Sequence, residues 1–397
     1  MRELIFLGVF ISFISCKLEA VKKETDKFNV TYNENIETYF LAELLSIDHR
    51  TTNKQWEKYK LKTCKEYQPI VSKALLEFKD LVNHEIAIET AKLNDTLISL
   101  GYGTDLMMEV LLHQSDFKLL KGISSFESRF YQLEGDIKIR LENIISNYLK
   151  LLYSFYQTEN IGLFFMKNAN FYNGAVNEVK SHIPKGFTDA IETYYGDSRE
   201  KYIVLVSPMM IWPIEENEGR GIGPTLEKNN KKIVFEIMSP YVQVPVKLKE
   251  KNYRNFGFDY RPRARMLTIH EFGHSFVNSE LVPYKKQIDR YSYLFTDNLK
   301  KRMESKGIPN WNTFVIESFV RLGEIRVAQI QNDRKRANHL RNYHTNLEFF
   351  IFLPQLEEKI IEFENNRDKY PMWKDFIPEL LKVFEKNTID FVNEKLE

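Results

Sequence analysis

The stretch LTIHEFGHSFVN places His270, Glu271 and His274 within five residues. On a helix, side chains four apart project from one face. The two imidazoles can therefore reach one tetrahedral ion, with nitrogens about 2.0–2.1 Å from zinc. Glu271 lies one position round the helix, near such an ion but poorly placed to bind it alongside both histidines. That is where a base is wanted to take a proton from water activated by the metal. The chain has eight histidines in 397 residues, so chance supplies an H-E-x-x-H match in about 0.01 chains of this length. Met266, Leu267, Ile269, Phe276 and Val277 surround the motif with apolar residues. The helix is thus read as buried, where polar groups without partners are expensive. Gly273, inside the helix, is about 1 kcal/mol worse than Ala, which points to a close approach of backbone or substrate.

A catalytic zinc usually takes three protein ligands and a water. The third ligand is sought in WNTFVIESFVRLGEIRVAQI, where Glu317 is flanked by Phe314, Val315, Ile316, Phe319 and Val320. A carboxylate in that setting calls for a cation or a metal. Arg321, one turn on, is placed to hold its second oxygen, the support that metal ligands commonly have. Two other acids compete. Glu324 shares a face with Glu317 two turns on. Glu280 follows His274 by six residues, where one metalloprotease class puts its third ligand after a midway Gly; here that midway position is Val277. Tyr343, His344, Tyr291 and Tyr293 are the polar groups available as an oxyanion donor, His344 being more simply a helix-end residue.

Helices must carry these groups. Pro262 suits a first helical turn, and the pattern from Arg261 to Ser279 is helical and stops before Pro283. Further helices are expected over Gln287 to Lys306, Trp311 to Arg336, and twice more through Phe391. Residues 35–165 also show apolar spacings of three and four. Between about Gly186 and Tyr260 the texture changes. KYIVLVSPMMIWP and KKIVFEIMSPYVQVPV read as two or three strands, which Pro208, Pro213 and Pro240 confine to edges or ends. The fold class is α+β: mostly helical, with a small antiparallel or mixed sheet before the histidine helix.

The remaining composition narrows the setting. A net charge of +1 gives no bulk electrostatic case for nucleic acid as a partner, and the short basic clusters at 247–251 and 333–341 read as solvated faces. MRELIFLGVFISFISC has one Arg, an apolar run too short to span a bilayer, and Ser15 before Cys16. It fits a lipoprotein signal peptide over 1–16, with Cys16 acylated and 17–34 a flexible tether. Cys64 is then the one remaining thiol, read as a plain helix residue.

HEFGHSFVNSE with a downstream W-x5-E-x3-R helix resembles the zincin metallopeptidases, in the gluzincin arrangement of two histidines and a later glutamate. More narrowly, ELLSIDHR, LGYGTD, HEFGHSFVN, VIESFVR and NRDKYPMWKDFIPELL resemble a bacterial family of exported proteins with a zincin-like site in a domain of unknown function. The likeness runs from about Asn35 to Asn387. It implies that 166–397 is a zincin-like catalytic region with C-terminal helices, forming one compact unit with the helical 35–165. It also implies Zn2+ held by His270, His274 and Glu317, with Glu271 as base, and a peptide or protein substrate. Zincins align substrate against an edge strand, and 202–210 is the expected one, by β-augmentation. The expectation is a zinc-dependent peptide-bond hydrolase, lipid-anchored in a bacterial cell envelope. The alternative is a non-catalytic binding lipoprotein on the same fold, which has no need of Glu271.

Overall fold

Five short strands build one mixed sheet: β1 (Phe28–Thr31), β2 (Lys201–Val206), β3 (Gly221–Ile222), β4 (Thr225–Lys228) and β5 (Lys231–Met238). The order is β1-β2-β5-β3, with β4 also paired to β5. β1 and β2 run parallel, as do β2 and β5, with Tyr202 opposite Phe28 on one side and Val234 on the other. β3 and β4 are antiparallel to β5. β2 from Tyr202 and β5 from Ile233 are largely apolar rather than alternating, interrupted in β5 by the buried Glu236, as befits parallel strands covered on both faces. In this computed structural model, residues 27–114, 135–213, 219–228 and 231–397 are described; Cys16 and the leader expected over 1–16 lie outside them.

The architecture is α+β and mostly helical. Two expectations change. Phe28–Thr31, inside the span expected as a tether, is a strand. β2 is therefore not an edge: β1 occupies one side and β5 the other. Residues 202–210 leave no free backbone ladder for an added peptide strand, and the sheet's edges are β1 on one side and β3 with β4 on the other.

The chain divides into two compact units, residues 1–184 with 200–268, and residues 185–199 with 269–397. In the first, the helix Glu34–Ser46 starts at Asn33, whose side chain accepts from the Ile36 backbone N–H. Tyr39, Phe40, Leu41, Leu44 and Leu45 bury nearly its whole circumference. Glu37 of that helix is 0% exposed. It accepts from the Ser207 hydroxyl, from Tyr172 Oη at 2.7 Å and from the Met209 backbone N–H at 3.1 Å. Cys64 is buried in the helix Lys54–Tyr67, and its thiol donates to the Trp212 carbonyl at 2.9 Å. Burial pushes that thiol up to about 11, so it stays protonated and structural.

In the second unit, Asn310 caps the helix Trp311–Ile330 by accepting from the Thr313 backbone N–H. Trp311, Phe314 and Phe319 pack there against Phe350, Phe352, Trp373 and Phe384. The helix ends earlier than the expected Arg336. Asn332 takes a left-handed φ of 58° and Asp333 caps a new helix, Arg334–Asn342. The single helix expected over 287–306 is two, Lys285–Arg290 and Asp297–Glu304, with Thr296 capping the second. Among the described residues, no helix is long and apolar enough to cross a membrane.

Burial, partly offset by its three donors, raises the Glu37 carboxyl from 4.5 to about 7. The folded chain then binds this proton more tightly than the unfolded chain, so its contribution to stability is present below pH 4.5 and is lost as pH rises towards 7. Glu37→Gln keeps the uncharged form. Urea unfolding at pH 5 and pH 8 is expected to show the wild type losing up to about 3 kcal/mol relative to the variant across that interval. Parallel pH dependence of the two proteins would contradict this account.

Candidate metal centre

The histidine helix runs Arg261–Leu281, close to its expected limits. On it His270 Nε2 and His274 Nε2 lie 3.2 Å apart, with the rings perpendicular. The Glu317 carboxylate, from the helix Trp311–Ile330, places its oxygens 3.6 Å from His270 Nε2 and 3.5 Å from His274 Nε2. Bonds of 2.0–2.1 Å to a tetrahedral ion require ligand atoms about 3.3–3.4 Å apart. The three separations here, 3.2 to 3.6 Å with one carboxylate oxygen facing each imidazole, bracket that value. Among the described residues, this trio is the one group of histidine, cysteine and acidic side chains with metal-binding spacing. Each of the three side chains keeps 15 or 16% exposure, so solvent reaches the cluster.

Packing fixes the two helices relative to each other. Phe272 stacks on Phe187, and Phe276 stacks on Tyr195 with ring centroids 4.4 Å apart. The Tyr195 phenol enters between the helices at two glycines. A Cβ on Gly273 would lie 3.2 Å from Val320 and 3.3 Å from the Tyr195 hydroxyl, and one on Gly323 would overlap that hydroxyl outright. The close approach expected at Gly273 is therefore made by side chains of the fold, not by substrate. The Tyr195 hydroxyl itself is buried without a hydrogen-bond partner.

Each histidine is held from behind. Glu324 Oε1 lies 2.9 Å from His270 Nδ1, and Asn278 Oδ1 lies 3.0 Å from His274 Nδ1. When each Nδ1–H donates there, both Nε2 lone pairs face the triangle, the arrangement that orients metal-binding imidazoles. Arg321 donates to Glu317, as expected, and its Nε donates to Glu348 at 3.1 Å. It also lies 4.2 Å from the centre of the Phe350 ring. His344, 1% exposed, sits between two acids, with Nε2 at 3.0 Å from Glu324 and Nδ1 at 2.8 Å from Glu348.

Glu324 is thus not a rival third ligand. Its carboxylate is 1% exposed and is engaged on the far side of His270. Glu280, partly exposed near the helix end, stands outside the cluster. His344 is neither a plain helix-end residue nor available as an oxyanion donor, and the Tyr293 hydroxyl is turned to the Asn387 carbonyl at 3.3 Å. The roles of Asn278, Glu324, His344 and Glu348 escaped the sequence reading. A local signal existed for two of them: Asn278 follows His274 by four residues and Glu348 follows His344 by four, spacings that put each pair on one helical face.

Charge accounts for the protonation pattern. Burial works against a proton on His270, but Glu317 and the Glu324 hydrogen bond outweigh it and hold that imidazole up to about 9. Burial would raise the Glu317 carboxyl, yet Arg321 and the two histidines bring it down to about 2. Glu324 is likewise held well below the usual carboxylate range against burial, chiefly by His344 and His270. Despite burial, Glu324 and Glu348 raise His344 above its ordinary value. The triangle is a place of negative potential that draws positive charge. Glu271, 9% exposed, stands beside it on the histidine helix.

The chain is α+β and brings two histidines and a glutamate to ligand spacing, each braced by a further side chain. It belongs to the family described as a domain of unknown function, DUF4932, which matches residues 77–383 and so takes in every residue of the cluster. No curated protein and no solved structure matches the chain.

The glycine gap gives a direct test of how the helices are spaced. Gly323→Ala is expected to cost about 1–3 kcal/mol, the range for an overpacked core. Tyr195→Phe, which removes the overlapped oxygen, should recover part of that loss when added to Gly323→Ala. Thermal unfolding of the two single variants and the double variant measures it; additive losses would show that the hydroxyl is not the obstacle.

Proposed function

We propose that this protein is a zinc-dependent peptide hydrolase on a zincin-like fold, held outside the cytoplasm of a bacterium by acyl chains on Cys16. The observation that carries the reading is the triangle of His270 Nε2, His274 Nε2 and the Glu317 carboxylate, with sides of 3.2 to 3.6 Å. Two imidazoles and one carboxylate favour zinc over magnesium or calcium, which prefer all-oxygen sites. A zinc ion held there supplies Lewis acidity towards a carbonyl and brings the pKa of water near 7.

The chain's own groups do the rest. His270, His274 and Glu317 hold the cation, with Nε2 orientation set by Glu324 and Asn278. Glu271 accepts the proton of the attacking water, a task that suits a carboxylate next to the ligands but outside their hydrogen-bonded ring. Residual exposure of the trio gives a peptide carbonyl access. The apolar run ending at Ser15-Cys16 supports lipid attachment, and more than one acyl chain makes such an anchor stable.

Metal analysis of the purified mature protein should find one zinc per chain. Glu317→Ala should abolish binding, while Glu324→Ala, which removes a support, should weaken it about 10–100-fold. Loss of zinc in Glu324→Ala with retention in Glu317→Ala would reverse the assignment of ligand and support.

Glu271→Gln should keep its zinc and lose at least about 100-fold in cleavage of a mixed peptide library, the usual scale for a general base. Zinc retained without any Glu271-dependent cleavage would instead favour a binding lipoprotein.

A further inference from the structure

We infer that His344 is a positioning residue for the metal centre, orienting two of the three ligands at once through two separate arms. This rests on the metal reading of the His270, His274 and Glu317 cluster and assigns a residue that touches neither ion nor substrate. One arm runs from His344 Nε2 to Glu324 at 3.0 Å and from Glu324 to His270 Nδ1 at 2.9 Å. The other runs from His344 Nδ1 to Glu348 at 2.8 Å, from Glu348 to Arg321 at 3.1 Å, and from Arg321 to Glu317. The two arms meet again at the ligand triangle, where Glu317 faces His270 Nε2 at 3.6 Å. The result is a closed loop of hydrogen bonds and ion pairs, with His344 at the end away from the His270–Glu317 contact.

Three features make His344 the member that sets the loop rather than a passive filler. It uses both ring nitrogens, each on a different carboxylate, so no rotation or flip preserves the pattern. Held between Glu324 and Glu348 at 1% exposure, it leaves water little room to replace it. The backbone is also distorted where it delivers the ring. Tyr343–Leu347 form a π-helical turn, closed by the Glu348 N–H on the Tyr343 carbonyl at 3.0 Å. Immediately after it, Phe349 adopts a left-handed φ of 63°, uncommon for a bulky residue. Such turns and outliers persist where surrounding interactions over-determine them, often at functional sites. Here the extra residue of the π turn lies in the segment that presents both His344 and Glu348.

The test measures zinc affinity of the full-length chain by chelator competition, alongside the melting temperature of the metal-free protein. His344→Gln should weaken zinc about 10–100-fold, as loss of an outer support does. The effect should shrink when Glu324→Gln is already present, and shrink further with Glu324→Gln and Glu348→Gln together, because both arms are then already cut. A purely structural role would lower the metal-free melting temperature and leave affinity within twofold, or would add independently to the other substitutions; either result overturns the inference. Should His344→Gln not fold, zinc titration of wild-type protein labelled at histidine nitrogen decides the matter. The His344 ring signals should move as one equivalent is added, and unmoved signals overturn the inference. Wild-type protein that binds no zinc would overturn the metal reading itself, whereas tight binding indifferent to His344 would overturn only this step.

Discussion

Negative charge buried within a helical layer is the constraint on which the second unit depends. Glu317, Glu324 and Glu348 are brought together beside apolar and aromatic packing, where an uncompensated carboxylate would be severely destabilising. Arg321 and His344 answer part of that charge by direct contact. His270 answers more of it, with Nδ1 on Glu324 and Nε2 facing Glu317, and His274 Nε2 faces Glu317 as well. On the proposed metal reading, a divalent ion would take the place of protons on those Nε2 atoms. The site is in this sense an electrostatic problem that the fold poses with its own side chains and leaves open on one face.

Shape serves the same end. Two helices can bring ligand atoms to within a few ångströms only if their backbones approach closely without shearing. Gly273 and Gly323 provide the approach, and the Tyr195 ring, flat against Phe276, fills what remains. The buried hydroxyl with no partner is a local cost of that fit. We read the phenol as a spacer whose reach, rather than whose polarity, sets the distance between the helices.

Much of the cluster was legible in the sequence because it is local. His270 and His274 are one turn apart, and Glu317 announces itself as an acid among Phe314, Val315, Phe319 and Val320. Arg321 follows from the same spacing. The supporting residues were harder to read because their partners come from separate segments: Glu324 serves His270 from 54 positions away, and His344 serves Glu324 from 20. An acid on the same helical face as Glu317, two turns on, looks like a competing ligand until the direction of its oxygens is known. The sheet was misread for a similar reason. Nothing in KYIVLV says that Phe28–Thr31 will lie alongside it, since parallel pairing joins strands that are distant in sequence. Helix boundaries failed where a left-handed asparagine and a capping aspartate, Asn332 and Asp333, interrupt an otherwise unbroken apolar pattern.

The placement of β1 bears on how far the protein can stand from a surface. Only residues 17–27 separate Cys16 from Phe28, the first residue of that strand. Twelve peptide steps, even drawn straight, reach about 40 Å. An acylated Cys16 would thus act as a short leash ending in the sheet itself, confining the first unit to a thin shell above the lipid headgroups.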